Sequence, residues 1–69
     1  MESKFAENLK SLRHEKKISQ GEVAKLIGVT QQCVSEWEHK KTEPTLTCLW
    51  LLADLFGVSI DVLCGRVDW

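Results

Sequence analysis

Ser19-Gln20-Gly21-Glu22-Val23-Ala24-Lys25-Leu26-Ile27-Gly28-Val29-Thr30-Gln31-Gln32-Cys33-Val34-Ser35-Glu36-Trp37-Glu38 is the stretch whose reading decides the fold. It reads as two short amphipathic helices joined by a turn. Ser19 stands as an N-cap with Glu22 three residues on. That is the capping-box spacing, in which each side chain satisfies a free backbone N–H. Val23, Ala24 and Ile27 follow at i, i+1 and i+4 as a narrow apolar stripe. Gly28 ends the helix where a left-handed backbone is needed. Thr30 opens the next helix, and Val34 and Trp37 supply its inward side. Neither helix is long enough to be stable alone. Two short helices held at an angle by one glycine-containing turn describe a helix-turn-helix, whose second helix can enter a DNA major groove.

At these residues the chain resembles a known family. Ser19-Gln20-x-x-Val23-Ala24, Gly28-Val29-Thr30, Val34-Ser35-x-Trp37-Glu38 and Pro44-Thr45-Leu46 are similar to the helix-turn-helix domain of the phage repressor and Cro family, the Xre-type regulators. The likeness runs from about Phe5 to Leu63, and a dozen residue types agree in register. It implies an all-α, compact five-helix repressor-like domain, homodimers on palindromic operators, and transcriptional regulation.

Sixty-nine residues allow one domain, with its helix-turn-helix core at about 19–39. A chain this size hides only about 60% of its unfolded surface, so its stability is modest. Cys33, Cys48 and Cys64 are odd in number and far apart, and no C-x-x-C or Cys/His cluster is present. That argues against a disulfide framework and against zinc. Scattered thiols of this kind suit a reducing cytoplasm. No apolar run approaches a membrane span of about 20 residues, and no signal peptide precedes the domain. The Met1 start and family-like ending read as a compact stand-alone regulator, with no cofactor and no small-molecule ligand. The net charge is −1. With so little basic excess, the chain must cluster its cations on one side, or lean on neutral donors and helix N-termini, to hold nucleic acid.

Taken in order, the first helix is expected over about Ser3–Lys16. Phe5, Leu9 and Leu12 face inward, with Ala6 and Arg13 flanking them. Arg13 lies beside the apolar stripe, where a cation needs a partner. The resemblance supplies Glu38, giving a partly buried structural ion pair. Ile18 packs into the core at the next turn. Gln20 opens the second helix at an anion-binding end, and in relatives a glutamine here grips the DNA backbone. Gly21 departs from the better helix formers that relatives carry there.

In the third helix Gln31, Gln32, Ser35 and Glu36 lie near the start and on the outer side. Glutamine can bond bidentately to adenine and serine to several bases. Thr30-Gln31-Gln32 matches some phage repressors in which the paired glutamines reach base edges. Glu36 can accept from cytosine N4 or repel phosphates. Lys40 occupies the place where relatives have a helix-ending glycine, which puts it in the left-handed region. Lys40, Lys41 and Thr42 are placed to meet the DNA backbone, and His39 reads as a polar capping side chain.

Pro44 excludes helix through Glu43, and Thr45 caps a fourth helix carrying Leu46, Leu49, Leu52, Ala53 and Phe56 before Gly57. Ser59 caps a fifth. Trp50, Leu51, Ile60, Val67 and Trp69 are more large apolar residues than one small core can take. Over about 46–69 they mark a two-fold interface that would repeat the third helix about 34–36 Å away, one DNA turn. The sequence contains no paired-carboxylate pocket, phosphate-binding glycine loop or nucleophile–base set, so an enzyme is not expected. The competing reading is a helix-turn-helix that binds protein, such as an antitoxin or an anti-repressor partner, with weak DNA binding.

Overall fold

Four helices start on the side chains that the sequence supplies as caps. Ser19 Oγ accepts from the Glu22 N–H at 3.1 Å, and the Glu22 carboxylate accepts from the Ser19 N–H at 2.9 Å. Both halves of the capping box therefore form. Thr30, Thr45 and Ser59 accept from the N–H groups of Cys33, Cys48 and Val62. The structure, a computed structural model, describes residues 4–66. In chain order it consists of α1 (Phe5–Glu15), α2 (Gln20–Ile27), α3 (Gln31–Glu38), α4 (Leu46–Phe56) and α5 (Ile60–Cys64). The five-helix, all-α fold expected from the resemblance is the observed one.

The core draws on every helix. Leu9 and Leu12 of α1, Val23 of α2, Val34 of α3, Leu52 and Phe56 of α4 and Leu63 of α5 close on one another. Trp37 meets Phe5 edge to face, with ring centres 6.1 Å apart, an arrangement that aromatic quadrupoles favour. α2 packs most extensively on α3, α1 lies across α3, and α5 touches α1 and α4. This scaffold holds α3 by its inward side and leaves the other side accessible.

α1 is shorter than Ser3–Lys16, and Ser3 lies outside the described residues. Lys16 ends the helix and Lys17 reverses the chain with φ of 58°. The Lys17 and Ile18 N–H groups turn back to the carbonyls of His14 and Arg13, at 3.1 and 3.2 Å. This is a Schellman turn built on lysine, stabilised by Ile18 packing on the core.

Two apolar placements are not evident from helical spacing. Leu46 belongs to the stripe of Leu49, Leu52, Ala53 and Phe56 by spacing, yet it is 69% exposed at the first residue of α4. Ile60, assigned to the open interface, instead packs half-buried against the core one turn before Leu63. Trp50 and Leu51 are exposed, Trp50 at 61%. Val67 and Trp69 lie outside the described residues.

α5 is fastened to α1 by polar contacts. Asn8 Nδ2 donates to the carbonyls of Val62 and Leu63, both at 3.2 Å, and the Lys4 N–H donates to the Cys64 carbonyl at 3.1 Å. Gly65 follows at φ 80°, and a Cβ there would stand 2.7 Å from the Lys4 Cβ. Only glycine fits that approach.

Candidate nucleic-acid interface

Because Val34 and Trp37 are buried, α3 turns Gln31 and Gln32 fully outward and leaves Ser35 and Glu36 half-exposed. All four residues assigned to bases from the sequence thus lie on the accessible side of one two-turn helix. The paired glutamines are set differently. Gln31 Oε1 lies 3.4 Å from where a Cβ on Gly21 would be, so its carboxamide rests over the first turn of α2. A Cβ at Gly21 would meet that side chain at ordinary contact distance, so nothing in the packing explains this glycine, unfavourable for helix propensity. Gln32 Nε2 donates to Glu36 Oε2 one turn on, at a long 3.4 Å. The Glu36 carboxylate therefore sits beside a donor.

α3 ends on His39. Its Nδ1 lies 2.7 Å from the Ser35 carbonyl, which can only accept, so the proton is on Nδ1 and the ring caps the helix. Lys40 then takes φ of 62°, the left-handed conformation read from its glycine-like place. The Lys40 and Lys41 N–H groups return to the carbonyls of Trp37 and Glu36, at 3.2 and 2.9 Å.

The residues assigned to phosphates are distributed around this helix. Lys41 and Thr42 follow it directly and are exposed. Lys40 Nζ is 2.8 Å from Glu7 Oε1 on α1. The hydrogen bond and charge of Lys40 hold the Glu7 carboxyl below its ordinary 4.5. The Lys40 ammonium carries three N–H donors, and the bridge to Glu7 uses one of them. Gln20, at the start of α2, donates from Nε2 to Glu38 Oε1 at 3.1 Å.

Arg13 and Glu38 meet as a two-pronged pair, Nε to Oε2 at 2.8 Å and Nη2 to Oε1 at 3.0 Å. Their side chains are only 12% and 3% exposed. Arg13 Nη1 also donates to the Ile18 carbonyl at 3.1 Å, which fixes the guanidinium against the α1–α2 turn. Burial pushes the Glu38 carboxyl up, but hydrogen bonds from Arg13 and Gln20 and the Arg13 charge outweigh it, leaving a net fall below 4.5. Sequence reasoning missed two members of this neighbourhood, the Gln20–Glu38 bond and the Glu7–Lys40 bridge. Both join residues from different helices or turns and leave no local signature.

The remaining chemistry is sparse. Burial pushes the Cys33 and Cys64 thiols up, so both remain protonated at neutral pH. Among the described residues no three His, Cys, Asp or Glu side chains stand together to hold a metal ion. No described helix is long and apolar enough to cross a membrane.

A helix-turn-helix family model matches residues 9–63, most of the chain, and the chain belongs to that family. It is 41% identical over 59 residues to an SPbeta prophage-derived uncharacterized HTH-type transcriptional regulator, YonR of Bacillus subtilis, covering 86% of this chain and 55% of that one. The chain spans about half the length of the first such curated relatives. The crystal structure of the P22 c2 repressor in complex with a synthetic operator is similar at a TM-score of 0.85 with 30% identity. That match covers 91% of this chain and 96% of the repressor chain in that structure. The same domain type also occurs in an enzyme. (S)-2-hydroxypropylphosphonic acid epoxidase of Streptomyces wedmorensis is 40% identical over 60 residues, 86% of this chain but 30% of the enzyme.

Proposed function

We propose that this chain is the sequence-reading unit of a DNA-binding transcriptional regulator, acting as a repressor by occupying its site. The observation that carries the reading is α3 itself. It is capped by Thr30 and anchored by buried Val34 and Trp37, with Gln31, Gln32, Ser35 and Glu36 on its accessible side. Support comes from the P22 c2 repressor, a DNA-bound protein that the chain matches over nearly its full length. Gln31, Gln32, Ser35 and Glu36 read bases, while Gln20, Lys40, Lys41 and Thr42 hold phosphates. The chain contributes binding and no catalysis, and it works in the cytoplasm beside the chromosome.

A second copy covers Trp50 and Leu51 on α4 and the partly exposed Ile60 on α5, giving a homodimer on a palindromic site; Val67 and Trp69, assigned to the same interface, lie outside the described residues. Exposed apolar side chains of this size on one helix support that assignment. Selection of duplexes from a random pool, followed by gel retardation, tests the whole reading. A two-fold repeated site should emerge. Gln31→Ala should alter base preference, whereas Lys41→Ala should weaken all sequences and lower the salt slope by about 1. Recovery of no common site would favour the protein-binding alternative.

A further inference from the structure

Glu38 looks structural when only its bond to Arg13 is considered, but its third partner connects it to the DNA-facing surface. Oε1 accepts from Arg13 Nη2 at 3.0 Å and from Gln20 Nε2 at 3.1 Å. Gln20 is the first residue of α2, where backbone N–H groups lack carbonyls from a preceding turn. A carboxylate only accepts, so the Gln20 carboxamide must present its NH2 group to Glu38. One Nε2 hydrogen is committed there, which restricts the orientation of the carboxamide and leaves its second Nε2 hydrogen for another acceptor. An unrestrained glutamine would have to lose rotamer freedom on binding, and here that order already exists in the free protein. Glu38 can impose it because it is itself immobile, 3% exposed and gripped at both oxygens by Arg13.

We infer that Glu38, fixed by Arg13, is a positioning residue for Gln20 and aims its second Nε2 hydrogen at a DNA phosphate. The inference rests on the DNA reading proposed above. Glu38 is bonded here only to protein donors, Arg13 and Gln20. The ion pair sets the readiness of a neutral contact to nucleic acid.

The test is a binding series by fluorescence anisotropy, on a duplex recovered by the unmodified protein from a random pool and on an unselected duplex of equal length. The variants are Gln20→Ala, the joint replacement Arg13→Met with Glu38→Met, and all three together. Replacing both charges leaves no buried ion unpaired, a change that folded proteins tolerate. Gln20→Ala and the methionine pair should each weaken binding about tenfold, the effect of losing one hydrogen bond to a charged group. Both duplexes should be affected alike, with the salt slope unchanged because a neutral amide releases no counterion. The triple variant should bind no more weakly than the pair. Full affinity in the methionine pair, or losses that multiply in the triple variant, overturns the positioning role alone. Wild-type binding by Gln20→Ala removes the phosphate contact itself, and recovery of no duplex removes the DNA reading beneath it. Side-chain nitrogen relaxation of the unmodified protein decides the matter even where the pair fails to fold. A rigid Gln20 carboxamide is the expected result, and a freely rotating one overturns the assignment.

Discussion

The junction of α1, α2 and α3 and the first half of α4 handle side chains in opposite ways. At the junction a guanidinium, a carboxylate and a carboxamide are drawn out of water and bonded to one another. Among the described residues no buried side-chain nitrogen or oxygen lacks a partner. On α4 large apolar groups, Leu46, Trp50 and Leu51, are left in solvent although the core is a turn away. Buried polar groups are costly unless satisfied, and exposed apolar patches mark contact surfaces. The Glu38 carboxylate is thus satisfied within one chain, whereas the apolar groups of α4 stay exposed on it. The junction fastens α3 to α1 and α2, and the exposed side of α4 is where the proposed second copy would bind.

The largest effect should come from opening the junction. Glu38→Ala leaves Arg13 buried and uncompensated, and urea unfolding should show a loss of about 3–5 kcal/mol. A loss under 1 kcal/mol would mean that water already reaches the pair. Trp50→Glu should do the reverse, leaving monomer stability within about 0.5 kcal/mol and weakening self-association by at least about 2 kcal/mol. Sedimentation velocity reads this directly. If the unmodified protein is already monomeric at tens of micromolar, α4 has a different occupant.

Acid should act on the junction and spare the α4 surface. The folded-state pKa of Glu38 is depressed, so its contribution is full above the ordinary value of 4.5 and is lost as pH falls through the lower folded value. Thermal melts between about pH 6 and 3, which spans the glutamate range, should show the melting temperature falling at the acid end. Arg13→Met with Glu38→Met should remove that part of the fall. The smallest change belongs to the turn after α3. Lys40→Gly relieves a left-handed lysine, partly offset by a freer unfolded chain, so a gain of about 0.5–1 kcal/mol is expected. A net loss would mean that the lysine side chain stabilises the turn by more than its backbone strain.

Much of this architecture is legible because it is local. The caps at Ser19, Thr30, Thr45 and Ser59 are set by residues three apart, and the inward positions of Val34 and Trp37 follow from helical spacing. The left-handed Lys40 is legible because glycine is replaced at a place where a helix must stop. Arg13 alone calls for a buried partner, but the identity of Glu38 needs the family resemblance. What stays hidden depends on distance along the chain or on packing geometry. Gln20 and Glu38 are 18 residues apart, and nothing local to either announces the bond. Leu46 has the right periodicity for burial, but it stands in the first turn of α4 and is exposed, which spacing alone does not reveal. Lys17 reverses the chain without glycine, a conformation decided by Ile18 reaching the core.

The seam between α5 and α1 has a kinetic consequence. Its side-chain bonds join positions 54 and 55 residues apart, so nearly the whole polypeptide must be reeled in before they can form. Such closure carries an entropic penalty and is recovered late. A five-residue helix held in this manner should zip last and part first, while the reading helix stays intact. Amide hydrogens in α5 should then exchange with solvent sooner than that of Val34, and equal rates would mean that the domain opens only as a single unit.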